Sequence, residues 1–208
     1  GNQKVVYKTK PTLTISSPAS TLTTGEVKVL KFRVAADSKE QVSWKKMQFK
    51  VSMTGATVTA ATTSNVKVRD VASASDLTLA TAFSNTSATA SASVAITGGN
   101  TGYVTVFLSS AQDVAAGSYK DYELTLTFAN LAAGTESASA VVSAYRQETT
   151  ALGATSFDNL EDSLGTAADG TPSFAWSDNS VVGHTESTSD WANGVFVKTF
   201  GDTVTTSR

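Results

Sequence analysis

Leu30-Lys31-Phe32-Arg33-Val34-Ala35-Ala36 alternates an apolar residue with a neighbour of the opposite parity, Val29, Lys31, Arg33 and Ala35 forming the second set. A period of two is the period of a half-buried strand, not of a helix. The polar cluster Asp37, Ser38, Lys39, Glu40 follows and reads as a turn. A second alternating run comes next: Met47, Phe49, Val51 and Met53 face inward, Lys46, Gln48 and Lys50 outward. The two runs are expected to form a β-hairpin. Trp44 falls off the inward parity, as at a bulge or on the opposite sheet face.

The same alternation recurs along the chain. Tyr122, Leu124, Leu126 and Phe128 alternate with Glu123, Thr125 and Thr127. Further strands are expected over residues 65–70, 77–83, 93–97, 103–109 and 137–145. Gly98, Gly99, Asn100 and Gly102 supply a turn between two of them. Runs spaced by about ten residues, with glycine or polar turns between, indicate an all-β fold, an Ig-like or jelly-roll β-sandwich. In the first segment Val5, Tyr7, Leu13 and Ile15 share one parity, and Pro11 confines the stretch to an edge. The organisation expected is an extended N-terminal strand over 1–16, a sandwich core over 17–146, and a C-terminal segment over 147–208. In that last segment Ser156 caps a short helix carrying Phe157, Leu160 and Leu164. Its apolar residues are too few for a core of their own, so it is expected to pack irregularly on the sandwich.

Composition narrows the function classes. The chain has 208 residues, a formal net charge of -2 and no cysteine. There is no basic stripe for nucleic acid and no apolar run long enough to span a membrane as a helix. A Cys-free, Lys-poor sequence rich in serine and threonine, starting at Gly1 instead of methionine, reads as exported to the cell surface or beyond.

Several stretches carry a family resemblance. Val27-Lys28-Val29-Leu30-Lys31-Phe32-Arg33-Val34-Ala35-Ala36-Asp37-Ser38 precedes Trp44-Lys45-Lys46-Met47-Gln48-Phe49-Lys50-Val51. Later come Asn65-Val66-Lys67-Val68-Arg69-Asp70 and Ala115-Ala116-Gly117-Ser118-Tyr119-Lys120-Asp121-Tyr122. The tail reads Phe174-Ala175-Trp176-Ser177-Asp178-Asn179-Ser180, His184 and Asp190-Trp191-Ala192-Asn193-Gly194. In that order they resemble the uncharacterised secreted β-sandwich cell-surface proteins of candidate phyla radiation bacteria. The resemblance implies an extracellular location and a sandwich, and it carries no catalytic or ligand-binding residue with it.

Chemistry-bearing residues are sparse. The single histidine, His184, has Asp178 and Asp190 nearby but no Gly-x-Ser-x-Gly elbow to hold a nucleophile, so it reads as a hydrogen-bonding residue and the chain as no enzyme. Asp158, Glu161 and Asp162 fall within one helical turn, where carboxylates face solvent. No cofactor is expected. No metal site is assigned; calcium is possible, with oxygens that Asp37 and Glu40, Asp113 and Asp121, or the 158–169 region could each contribute. Trp44, Trp176 and Trp191 are packing anchors, or platforms for a sugar if exposed. Asn85-Thr86-Ser87 is a glycosylation sequon.

The first segment stands out. An extended strand with alternate apolar residues can fill a groove in a neighbouring copy, with Val5, Tyr7, Leu13 and Ile15 as the subunit contacts. The leading expectation is therefore a structural subunit of a pilus-like extracellular filament, a homopolymer built by β-strand complementation. The alternatives are a surface-layer or cell-wall component, and an adhesive module binding surface glycans.

Overall fold

The structure is a computed structural model and describes residues 6–87, 93–131, 138–144, 174–186, 188, 190–193, 197 and 203–208. In chain order its strands are β1 (Pro11–Ser16), β2 (Gly25–Ala36), β3 (Val42–Thr54), β4 (Thr57–Val58), β5 (Val66–Asp70), β6 (Ser75–Asp76) and β7 (Leu79–Asn85). Then come β8 (Thr101–Val114), β9 (Tyr119–Ala129), β10 (Ser139–Ala144), β11 (Phe174–Ser177), β12 (Trp191–Asn193) and β13 (Val204–Ser207). No helix occurs among the described residues. The Ser156 helix expected from sequence lies outside them, as does Val5.

The strands form two antiparallel sheets stacked as a sandwich. One runs β1-β2-β9-β5-β6, with β4 beside the end of β9. In the other, β3 is central: β8 and then β7 lie on one side, while β10 and β11 share the opposite edge and lead to β13 and β12. Alternation explains the layers. Val27, Phe32 and Val34 of β2 and Tyr122, Leu124, Leu126 and Phe128 of β9 are buried, whereas Lys28, Arg33, Asp121 and Glu123 line the outer face and pair as Lys28–Glu123 and Arg33–Asp121.

The expected hairpin of β2 and β3 is not formed. β2 pairs with β1 and β9, β3 with β8, β10 and β11. The polar turn after Ala36 carries the chain from one sheet to the other, with Asp37 accepting the Lys39 N–H at 3.2 Å. Both strands have one apolar face, and these faces meet across the core; the Phe32 and Phe49 rings lie 5.7 Å apart. Pairing side by side would have left both faces uncovered.

A bulge in the β3–β8 register between Trp44 and Lys46 turns Trp44 into the core, as its off-parity position allowed. Lys46 and Gln48, expected in solvent, are instead buried. The 93–97 strand reduces to one bridge from Ile96 to Val58. The described part of the C-terminal segment is not irregular cover but β11, β12 and β13, integral to the β3 sheet. Gly102, read as part of a turn, sits within β8. A Cβ there would meet Ile96 Cγ1 at 2.6 Å and the Asn85 backbone oxygen at 2.9 Å. Since that backbone cannot yield without moving β7, Gly102→Ala is expected to lower stability by about 1–3 kcal/mol, read as a lower denaturant midpoint at unchanged slope.

Candidate functional site

The N-terminal segment is where sequence placed the function, and in the structure it docks on its own chain. The Tyr7 ring lies 5.3 Å from that of Trp176. Burial, reinforced by the Asp178 charge, pushes the Tyr7 phenol up to about 12. The Lys8 N–H donates to Asp178 Oδ2 at 2.8 Å, and Thr9 is buried. The chain then enters β1, which pairs along β2 from Pro11↔Ala36 to Ser16↔Lys31. Leu13 is fully buried and Ile15 half-buried against the core. The leading segment is thus not detached. It ties the β3 sheet, through β11 and Asp178, to the edge of the β2 sheet, and the pairing expected in a neighbour is made in cis. Pro11 opens the strand, at a sheet edge, where its missing N–H is tolerated.

The connection from β1 to β2 is strained and anchored. Ala19 has φ 57°, in the left-handed region a residue with a Cβ rarely adopts, and its N–H donates to Ser17 Oγ at 3.2 Å. Beyond it Leu22 is fully buried, and its N–H donates to the Ser207 carbonyl at 2.9 Å. Residues 17–21 therefore form a hinge with a fixed far end.

The loop from β11 to β12 closes over the outer face of the β3 sheet. Lys45, stripped of solvent, pairs with Glu186 and lies 5.0 Å from the Phe107 ring centre. Phe107, Ala175 and Trp191 make a small second core there, which explains the buried flank of β3. Burial pushes the Lys46 ammonium down to about 7. The Trp191 indole N–H donates to the Thr185 carbonyl at 3.0 Å. Asp190 accepts from the Val181 N–H at 3.2 Å and from the Thr188 hydroxyl, and meets His184 Nδ1 at 2.9 Å. Burial alone would raise its carboxyl, but these donors together hold it below the ordinary carboxylate range.

This network is a brace, not a relay. Thr188 and Asp190 both approach Nδ1 of His184, whereas nucleophilic catalysis needs hydroxyl and acid on opposite ring nitrogens. Asp190→Ala is expected to cost about 1–3 kcal/mol by stranding these donors, with a change in Trp191 fluorescence as the loop loosens. Because the folded carboxyl titrates below its unfolded value, the charge's contribution is complete above the ordinary carboxylate range. It is lost as pH falls through the folded value.

Trp44, Trp176 and Trp191 are all fully buried, so no indole offers a face to a sugar and the stacking platform is absent. Asp121 is held by both nitrogens of the Arg33 fork and Asp113 by the Ser43 hydroxyl, one in each sheet, so they do not converge on a calcium ion. Asp37 is engaged in its own turn. The 158–169 carboxylates lie outside the described residues. Among the described residues no three His, Cys, Asp or Glu side chains gather where a metal could sit. Asn85 ends β7 at a sheet edge, its side-chain oxygen accepting the Ser87 N–H at 3.0 Å, with Thr86 and Ser87 exposed. No helix of the described residues is long and apolar enough to cross a membrane.

Sequence reasoning missed the Lys8–Asp178 and Lys45–Glu186 ties, which join residues far apart in the chain. The adjacent pair Lys45-Lys46 beside an off-parity tryptophan was the one available signal of the second.

No family model matches the chain, and no curated protein matches it. Among solved structures, the collagen-binding domain from a Staphylococcus aureus adhesin is similar at 12% identity, over 72% of this chain and 91% of that one. The TM-score is 0.23, a likeness too slight to bear on architecture or role.

Proposed function

We propose that this chain is a non-catalytic structural subunit of an extracellular assembly, in which protomers join by exchanging β1. The observation that carries the reading is the strained hinge. An edge strand at the start of the described chain is connected to its own sheet through Ala19 in a left-handed conformation, and Leu22 fixes the far side. Straightening the hinge releases strain of roughly 1 kcal/mol. Everything β1 loses in leaving its own sheet it regains on a neighbour, because the site is the same. Strand exchange is therefore close to neutral per contact, and a strained hinge favours it. Passed from each copy to the next without closing, the exchange grows a fibre.

The groove is occupied before exchange, not vacant: the strand that complements the neighbour is the strand that first closes the monomer. The weakly charged, serine- and threonine-rich composition without cysteine supports an extracellular setting. Sedimentation of full-length protein against a chain lacking residues 1–16 tests the reading. Full-length protein should form multimers that grow with concentration, and the truncated chain should not. Multimers that form equally without residues 1–16 would remove it.

A further inference from the structure

The leading segment is gripped at two places, and they belong to different sheets. β1 pairs with β2, while residues 7 and 8 sit on β11 and the residue that follows it. The Tyr7 ring lies 5.3 Å from that of Trp176, and Thr9 is buried beside this contact in the chain. Asp178 has 1% of its surface exposed. One of its carboxylate oxygens accepts the Lys8 N–H at 2.8 Å, and the other accepts the Ser180 N–H at 3.2 Å. One residue earlier Val6 is 88% exposed, so the grip begins at Tyr7. Both contacts lie on the travelling side of the hinge at residues 17–21. When β1 moves to another copy, residues 7 and 8 move with it.

We propose, resting on the exchange reading above, that Trp176 and Asp178 are a latch: they hold Tyr7 and Lys8 closed in the monomer, and in the assembly they receive Tyr7 and Lys8 of the neighbouring copy. Such a latch governs the speed of exchange and not its extent. Contacts made equally in the closed monomer and in the exchanged assembly cancel between the two states. The route from one to the other passes through a released segment, in which both contacts are lost, so they stand wholly in the barrier. This holds whether release or encounter of two copies is slower, because release precedes either. The two halves of the latch read different things. Asp178 takes a main-chain N–H and so fixes the path of the segment, whereas Trp176 takes the Tyr7 ring and so fixes its register. Tyr7 is half-buried and packs against the core without being part of it, so its side chain can be removed with the sandwich in place.

The time course of assembly of full-length protein, followed by light scattering at one concentration, is the test. Asp178→Ala and Tyr7→Ala should each reach the final extent of the wild type, and Asp178→Ala should do so about tenfold faster or more, the factor carried by a hydrogen bond to a charged group. Gly102→Ala destabilises the fold away from the latch and should leave the rate unchanged. Wild-type protein that assembles as fast as both latch variants would overturn the latch and leave exchange standing. So would a Gly102→Ala protein that assembles as fast as they do, since exchange would then follow general unfolding. A changed final extent in the latch variants would show that the neighbour does not remake the contacts, and would overturn it too. Wild-type protein that never assembles would remove the exchange reading itself, and the latch with it.

Discussion

Trp44→Ala should lower the stability of the fold by about 3–5 kcal/mol, read as a fall in the denaturant midpoint. Trp44 is fully buried at the β3 bulge, where its ring bridges the two sheets. It stands edge-on to Phe32 at 5.8 Å and to Tyr122 at 5.0 Å, both of the β2 sheet, and stacks on Phe174 of β11 at 6.2 Å. Removing the indole leaves a cavity bordered by strands whose backbone pairing limits collapse. A domain of this kind is stable by about 5–15 kcal/mol in total, so the variant forfeits a large share. Trp44→Phe keeps a ring between the sheets and should lose about half as much. Equal losses in the two variants would mean that the bulge, not the packing, is what Trp44 provides.

Removing residues 1–16 should cost about 3 kcal/mol or more, in addition to abolishing assembly. Burial of Leu13 alone is worth roughly 2 kcal/mol. Pro11 and Thr9 add buried surface, and Tyr7 leaves the face of Trp176. The deletion also uncovers the edge of β2 from Lys31 to Ala36 and strands the Asp178 carboxylate that the Lys8 N–H meets. Against these losses stands the entropy of ordering the segment, which the truncated chain no longer spends. A synthetic peptide of residues 6–16 should bind the truncated chain and restore its midpoint, because the groove is built by the rest of the molecule. Failure of the peptide to restore a chain that still folds would show that β1 is not separable from its sheet, and exchange would lose its physical basis.

How legible these features were depends on the length over which a pattern is kept. β9 holds strict alternation through Tyr122, Leu124, Leu126 and Phe128, and β2 does so from Leu30 through Phe32 and Val34, so these stretches could be read directly; ahead of them a bulge between Lys28 and Leu30 buries Val29, which parity had grouped with Lys31 and Arg33. β3 defeats the rule in two ways. The bulge shifts parity at Trp44, and the second core around Phe107 and Trp191 buries the face on which Lys46 and Gln48 were expected to be wet. Its partner sheet was misassigned because a turn after Ala36 looks alike whether the chain folds back beside itself or crosses the core. Phe174-Ala175-Trp176-Ser177 is too short to show a period, so β11 takes its identity from the distant edge of β3. At the candidate site the apolar parity of Tyr7, Leu13 and Ile15 was legible, as was the edge position of Pro11. Whether those residues pair within one chain or between two was not, because the contacts are the same in both.

A change of partner by β1 can be measured directly, because the chain has no cysteine of its own. Thr12 and Ala35 stand opposite each other in the β1–β2 register, close enough for a disulfide when both are replaced by cysteine. The Thr12→Cys/Ala35→Cys protein is allowed to assemble, is then oxidised, and is separated under denaturing, non-reducing conditions. Exchange predicts a ladder of covalent multimers, position 12 of each copy bonded to position 35 of the next. Assemblies that dissolve entirely into internally bonded monomers would contradict it.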